Sequence, residues 1–132
     1  MRLVYAIGLG TIVAASPAAA TGGLSCRPVR GAGPMIDVAA GYALVPTVIG
    51  VTLREGGKVM TAGAINSTEN HALVVGQAWY DAREVRLDLF DAQQVRFEGK
   101  LRVRFGTGRR GHIAFGSFTR NGRTYQVRCT AE

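Results

Sequence analysis

The chain has 132 residues, of which 47% are hydrophobic and 19% charged, and its formal net charge is +7. This length suits one small globular domain and excludes a multidomain enzyme. The hydrophobic content argues against a disordered chain, and the lack of any repeating period argues against a solenoid.

The N-terminus has the features of a secretory signal peptide. Met1 and Arg2 give it a positive start, residues 3–15 are largely apolar, and residues 16–20 supply the small side chains that a signal peptidase recognises. Pro17 interrupts the apolar run before it reaches the roughly 20 residues that span a bilayer. These features favour cleavage over a transmembrane anchor.

Cleavage near Ala20 divides the chain into two parts. A lipoprotein acylated at Cys26 is an alternative, but Gly23 occupies the position where such motifs usually have Leu. We predict a signal peptide over residues 1–20 and a single all-β domain over residues 21–132, periplasmic or secreted, with no transmembrane span. That mature domain has a net charge of +6.

The two cysteines lie near the two ends of the mature chain. An exported protein with two cysteines most simply forms one disulfide, here between Cys26 and Cys129. Closing such a long loop stabilises a protein by up to about 4.7 kcal/mol in the chain-entropy model. Neither cysteine has the CxxC spacing or basic neighbour of a redox-active thiol.

Alternation of apolar and polar residues predicts strands along the mature chain. Residues 95–105 alternate apolar or glycine positions with charged ones, which is typical of a long half-buried strand, and residues 84–89 alternate in the same way. The two segments predict an antiparallel hairpin. Matching opposite charges across it places Leu89 opposite Val95 and Arg86 opposite Glu98.

A second hairpin is indicated by Asn121-Gly122, a sequence typical of a two-residue type I′ turn. It would join residues 112–119 to residues 123–130, with Gly116 as a bulge that switches faces. Further strands are predicted over residues 24–29, 47–54, 58–65 and 72–80, and no segment predicts a helix.

The predicted fold class is therefore all-β: a small antiparallel meander barrel or sandwich of about seven or eight strands, with its termini joined by one disulfide. Pairing of the first and last strands would remove both exposed sheet edges.

Residues that could support catalysis or metal binding are few. His71 and His112 are the only histidines, and they have no ligand spacing. Ser67 precedes His71 by four residues and could form the nucleophile pair of a small hydrolase, but hydroxyls in such a loop are more often turn formers. We predict no catalytic residue, no metal site and no cofactor.

Positive charge is concentrated in the second half of the chain. Residues 83–128 have a net charge of +7, whereas residues 21–82 are neutral. Because arginine presents a planar fork that suits phosphate and carboxylate, one hypothesis is an anion-binding face. The alternative is a charged face that only maintains solubility. The arginines without an expected partner are Arg102, Arg104, Arg109, Arg110, Arg120, Arg123 and Arg128.

The residues that we assign to this anion-binding face are Arg102, Arg104, Arg109, Arg110 and Arg128. We expect an anionic envelope component or a periplasmic protein as the partner, and we do not expect nucleic acid.

The segments Leu24–Pro28 and Gly116–Cys129 together resemble small exported proteins of alphaproteobacteria that have no assigned function. That resemblance covers nearly the whole mature chain and implies no activity. A weaker likeness is to the periplasmic inhibitors of C-type lysozyme, which implies a small antiparallel barrel. Gly122-x-x-Tyr125 corresponds to part of their Ser-Gly-x-x-Tyr motif, but Trp79 is not followed by their Lys-Gly loop. A basic protein would also repel cationic lysozyme.

We predict that the secreted protein begins at Thr21 and is two hydrogens lighter than its reduced form, because the two cysteines are oxidised on export. Intact mass spectrometry with and without reductant measures both properties. Two free thiols, a retained leader or an acylated Cys26 would contradict the prediction.

Overall fold

The computed structural model describes residues 20–42, 45–63 and 71–132. They form nine strands and a short 3-10 helix, Gly108–Arg110, with no α-helix in these ranges. No helix in this part of the chain is long and apolar enough to cross a membrane. The predicted signal peptide lies outside the described residues except for Ala20.

The strands are β1 (Ala20–Pro28), β2 (Met35–Tyr42), β3 (Pro46–Glu55), β4 (Lys58–Gly63), β5 (Leu73–Tyr80), β6 (Glu84–Asp91), β7 (Phe97–Phe105), β8 (Ile113–Arg120) and β9 (Arg123–Ala131).

The strands form one sheet in the order β4-β3-β2-β1-β9-β8-β7-β6-β5, curled into a nearly closed barrel. Every hydrogen-bonded pair is antiparallel, including β1 with β9. In a ring of nine strands, directions cannot alternate all the way round, so one neighbouring pair must be parallel. That pair is β4 and β5, and it is where the described strands form no ladder.

The all-β prediction is confirmed, but the number of strands is nine, not seven or eight. The strand that the sequence did not reveal is β2. Its inward residues Ile36, Val38 and Ala40 are buried, whereas Met35, Ala39 and Gly41 on the other face are not polar. Because both faces consist mostly of apolar or small residues, the alternation that marks a half-buried strand is absent.

The disulfide between Cys26 and Cys129 is confirmed. The two residues lie directly opposite each other on β1 and β9, and both side chains are buried in the barrel. Pairing of these strands was predicted to remove both exposed edges. Instead, the edges are those of β4 and β5, in the middle of the sequence.

The predicted register of the β6–β7 hairpin is wrong. Leu87 faces Leu101 and Val85 faces Val103, so each β6 residue pairs four positions further along β7 than expected. Phe90, which the prediction left in the loop between residues 84–89 and 95–105, extends β6. It packs edge-on against Phe97 with ring centroids 5.8 Å apart.

The turn between these strands is held by Asp91, which explains the shift. Its carboxylate Oδ1 accepts hydrogen bonds from the backbone N–H groups of Val95 and Arg96, at 2.8 and 2.9 Å. This local capping of the turn outweighs the exposed charge pairs of the predicted register, which are worth only about 0.2 to 1 kcal/mol each.

The β8–β9 hairpin has the predicted turn, with positive φ at both Asn121 (51°) and Gly122 (72°). Phe118 faces Tyr125, as the two-residue turn requires. The predicted bulge at Gly116 is wrong, because the register runs through it without a break. A Cβ there would lie 1.9 Å from the backbone oxygen of Arg102, so glycine permits close approach of β7 and β8.

Charged side chains close one end of the barrel. Arg120, at the end of β8, donates to Glu55 at the end of β3 (2.9 Å) and to Glu98 on β7 (3.0 Å), and it also donates to the backbone oxygen of Glu98. Arg120 and Glu98 are only 9% and 7% exposed. Arg96 binds the second carboxylate oxygen of Glu98 at 2.7 Å. This arrangement joins strands that are not neighbours in the sheet.

Aromatic side chains close the other end. Tyr80 packs against Tyr42 and Phe105 with ring centroids 6.3 and 6.2 Å apart. Burial raises the pKa of the Tyr80 hydroxyl above its usual value, and the neighbouring Tyr42 hydroxyl raises it further. These contacts connect β2 to β5 across the gap between β4 and β5.

We expect Arg120→Met to reduce the free energy of unfolding by about 3 to 5 kcal/mol, because it leaves the buried carboxylate of Glu98 with only the exposed Arg96 as an ionic partner. Urea unfolding of the oxidised protein measures this loss. Arg123→Met is the control, since that exposed side chain only stacks on Tyr125 at 5.1 Å, a contact worth about 1 kcal/mol. If Arg120→Met does not fold, Glu55→Gln tests the same cluster at its exposed margin. Equal losses for the Arg120 and Arg123 variants would contradict the structural role of the cluster.

Candidate anion-binding surface

Three arginines and a phenylalanine form one row across the outer face of the barrel. The register places Arg104 on β7 opposite Phe115 on β8, Phe115 opposite Arg128 on β9, and Arg128 opposite Arg27 on β1. All four side chains are exposed. Because neighbouring strands lie about 4.8 Å apart, this arginine row spans roughly 14 Å.

The arginines of this row form no direct ion pair within the described residues, because none of Arg27, Arg104 and Arg128 contacts a carboxylate there. Two carboxylates are nevertheless nearby: Glu84 lies opposite Arg104 in the register, and Glu132 lines a groove with Arg27 and Arg128. Arg27 and Arg128 face each other directly, and like charges in that position destabilise a sheet. The row therefore gives this rigid part of the surface an excess of positive charge.

A shallow groove of about 520 Å³ runs along the outer face of β1 and β9 beside the row. The two facing arginines lie in it with the hydroxyl of Thr130, the apolar side chain of Val29 and the carboxylate of Glu132. Two guanidinium groups side by side can donate several hydrogen bonds to one phosphate or carboxylate. The full lining is Ser25, Arg27, Pro28, Val29, Arg128, Thr130 and Glu132.

Of the five predicted anion-binding arginines, the structure brings Arg104 and Arg128 into the row. Arg102 lies on the same outer face of β7. The expectation that it has no partner is wrong. Its guanidinium binds Asp88 at 2.8 Å and the backbone oxygens of Leu87 and Leu101 at 3.2 and 2.8 Å.

Arg109 and Arg110 lie apart from the row, in the exposed 3-10 helix between β7 and β8. The expectation that Arg120 and Arg123 have no partner is also wrong. Arg120 is buried in the ionic cluster, and Arg123 lies over the ring of Tyr125.

Sequence reasoning missed Arg27 and Phe115. Arg27 belongs to the neutral half of the sequence, so the charge count passed over it. A signal was nevertheless present: if Cys26 and Cys129 face each other across antiparallel strands, the residue after the first faces the residue before the second. That rule alone pairs Arg27 with Arg128.

The two histidines are far apart in the fold. His71 Nδ1 lies 3.1 Å from the hydroxyl of Thr61, and His112 lies in the exposed loop before β8. Ser67 lies outside the described residues, so the Ser/His pair stays a hypothesis. Within the described ranges, no three His, Cys, Asp or Glu side chains are grouped as metal ligands would be.

A second groove, of about 380 Å³, lies on the outer face of β5, β6 and β7. Trp79, 52% exposed, forms part of it, and the guanidinium of Arg86 lies 5.6 Å from its ring centroid. The indole Nε1 donates to Asp81 at 3.0 Å. We call this the Trp79 groove; its lining is Gln77, Ala78, Trp79, Arg86, Leu87 and Arg102.

Asp81 is itself fixed by the turn between β5 and β6. Its Oδ1 accepts hydrogen bonds from the backbone N–H groups of Glu84 and Arg83, both at 2.8 Å. These two bonds and, to a smaller extent, the bond from Trp79 hold the pKa of the Asp81 carboxyl below its usual value.

Comparison with known proteins identifies no relative: no family model, curated protein or solved structure matches the chain.

We predict that acid titration of tryptophan fluorescence shows a transition with its midpoint below the ordinary aspartate pKa of about 3.9. Trp79 is the only tryptophan, so the signal reports its own hydrogen bond to Asp81. Because the folded pKa is lowered, the contribution of this turn to stability is complete above the unfolded pKa and is lost as pH falls through the folded one. Asp81→Asn should abolish the transition; a transition that persists in that variant would contradict the assignment.

Proposed function

We propose that this protein is an exported, non-enzymatic β-barrel that binds an anionic component of the cell envelope through the arginine row. The observation that carries the proposal is the alignment of Arg27, Arg104 and Arg128 on one face, where none of them forms a direct ion pair with a described residue. A purely solubilising surface would favour interspersed charges of both signs.

The geometry suits an extended polyanion better than a single small anion. The row crosses four strands, and its side chains point outward from a sheet whose strands are held rigidly by ladders on both sides. Exposed Phe115 lies between Arg104 and Arg128 and offers an apolar contact between the two charges. A lipopolysaccharide or an acidic polysaccharide presents such repeated anions.

An exported location is part of the same proposal. A structural disulfide persists in oxidising compartments such as the periplasm or the extracellular medium, and the sequence before Thr21 has the pattern of a signal peptide. Both features support contact with the envelope and make nucleic acid a poor candidate ligand.

The alternative of a lysozyme inhibitor gains no support from the residues that suggested it. Tyr125 is only partly exposed, packs against the core and lies under Arg123, so it is not free to enter a partner's cleft. The third candidate, a small hydrolase, depends on Ser67, whose surroundings the structure does not describe.

We expect Arg27→Glu combined with Arg128→Glu to weaken binding to lipopolysaccharide at low salt by at least about tenfold, because each guanidinium that binds phosphate contributes roughly 1.5 to 3 kcal/mol. Fluorescence polarisation with labelled protein measures the affinity. The double reversal keeps a like-charge pair at this position, so thermal stability should not change.

The matched control is Lys58→Glu combined with Arg123→Glu, which changes the net charge equally at exposed sites at the start of β4 and at the start of β9. It should weaken binding only slightly. Polygalacturonate replaces lipopolysaccharide in a parallel titration and separates carboxylate from phosphate recognition. Equal losses in the two double variants, or no binding of either polyanion by the wild-type protein, would contradict the proposal.

A further inference from the structure

The Trp79 groove has features that the arginine row does not share. Its indole ring is held in place on two sides, by the hydrogen bond to Asp81 and by the guanidinium of Arg86. Asp81 is in turn fixed by two backbone hydrogen bonds. About half of the tryptophan surface nevertheless remains open to solvent. An exposed aromatic ring that is already ordered loses little entropy when a ligand stacks on it.

The charges around this groove are balanced. Arg86 pairs with Glu84 at 3.2 Å, and Arg102 pairs with Asp88 at 2.8 Å. Asp81 adds one more carboxylate beside the indole N–H. Since each arginine has an acidic partner, the groove offers no excess positive charge to attract an anion.

The polar groups that remain suit hydroxyls. The side-chain amide of Gln77 both donates and accepts hydrogen bonds, and each paired arginine retains guanidinium N–H groups that its carboxylate partner does not use. These groups line the same groove as the indole ring. A flat apolar platform beside neutralised polar groups is complementary to a ring with one C–H face and a rim of hydroxyls.

We infer that the Trp79 groove is a binding site for a neutral pyranose unit of a saccharide, with the sugar ring stacked on the face of Trp79 that Arg86 leaves open and its hydroxyls bound by Gln77. An apolar small molecule is a poor fit, because such ligands are usually bound in enclosed, mainly apolar pockets. A single-stranded nucleic acid would also stack on tryptophan, but it needs an uncompensated basic channel beside the ring. This site is independent of the arginine row and does not rest on the proposed function.

The intrinsic fluorescence of the only tryptophan provides a direct test. We expect titration of the oxidised wild-type protein with neutral tetrasaccharides, one of β1,4-linked glucose and one of N-acetylglucosamine, to change the emission and saturate with at least one of them. Inorganic phosphate and a thymidine tetranucleotide should leave the emission unchanged at equal concentration.

Variants measured by isothermal calorimetry then locate the site. Trp79→Ala should weaken binding at least tenfold, and Trp79→Tyr, which retains a stacking ring, should recover part of the affinity. Phe115→Ala is the matched control, because Phe115 is an equally exposed aromatic residue, 51% against 52%, on a different part of the outer face. Arg27→Glu with Arg128→Glu should also leave saccharide binding unchanged, so failure here is distinguishable from failure of the proposed function.

Three results would overturn the inference. The first is no emission change or heat of binding with either neutral saccharide. The second is equal weakening by Trp79→Ala and Phe115→Ala. The third is tighter binding of the tetranucleotide than of the sugars, which would assign the groove to a nucleobase.

Discussion

The rest of the structure depends on the pairing of the first strand with the last, covalently fixed where Cys26 faces Cys129. Without that pairing, β1–β4 and β5–β9 would be two separate sheets, because the described parts of β4 and β5 form no ladder. With it, the nine strands form one sheet whose two edges are β4 and β5. The odd number of strands then prevents fully antiparallel closure, because an antiparallel β1–β9 pair leaves β4 and β5 parallel. Parallel pairing is slightly less stable per residue than antiparallel pairing, and the described parts of β4 and β5 form no ladder.

Closure of the barrel also decides where chemistry can occur. The interior is filled by apolar side chains such as Phe118 and Leu101, and the ends are covered by the Arg120 cluster and by the stacked ring of Tyr80. The two binding sites that we propose therefore lie on the outer face, where side chains project from strands. Sites built on strands are held more precisely than sites on loops. Every strand of the arginine row has a neighbour on both sides, whereas Trp79 lies on the edge strand β5, and the two sites differ also in whether their arginines form ion pairs.

Several elements were predictable because their signals are local. The turn at Asn121-Gly122 needs only two residues with positive φ, and the alternation in residues 99–105 follows from burial of one face. The β6–β7 register was not predictable from cross-strand charges. Shifting a hairpin by an even number of residues keeps the same side chains inside, so burial could not discriminate between registers, and the capping of the turn by Asp91 decided the outcome. Strand β2 escaped detection because neither of its faces is distinctly polar.

By itself, the sequence determined the all-β class, the pairing of the two cysteines and the excess of arginine in the second half of the chain. Only the tertiary structure decided which arginines are free. Arg102 and Arg120 bind carboxylates 14 and 22 residues away along the chain, whereas Arg27 and Arg128, 101 residues apart in sequence, become neighbours and form no direct ion pair with the described residues. A count of charges along the chain ignores such contacts, because the partner of an exposed side chain is set by strand order and register. Those properties depend on closure of the whole barrel, and no local segment contains that information.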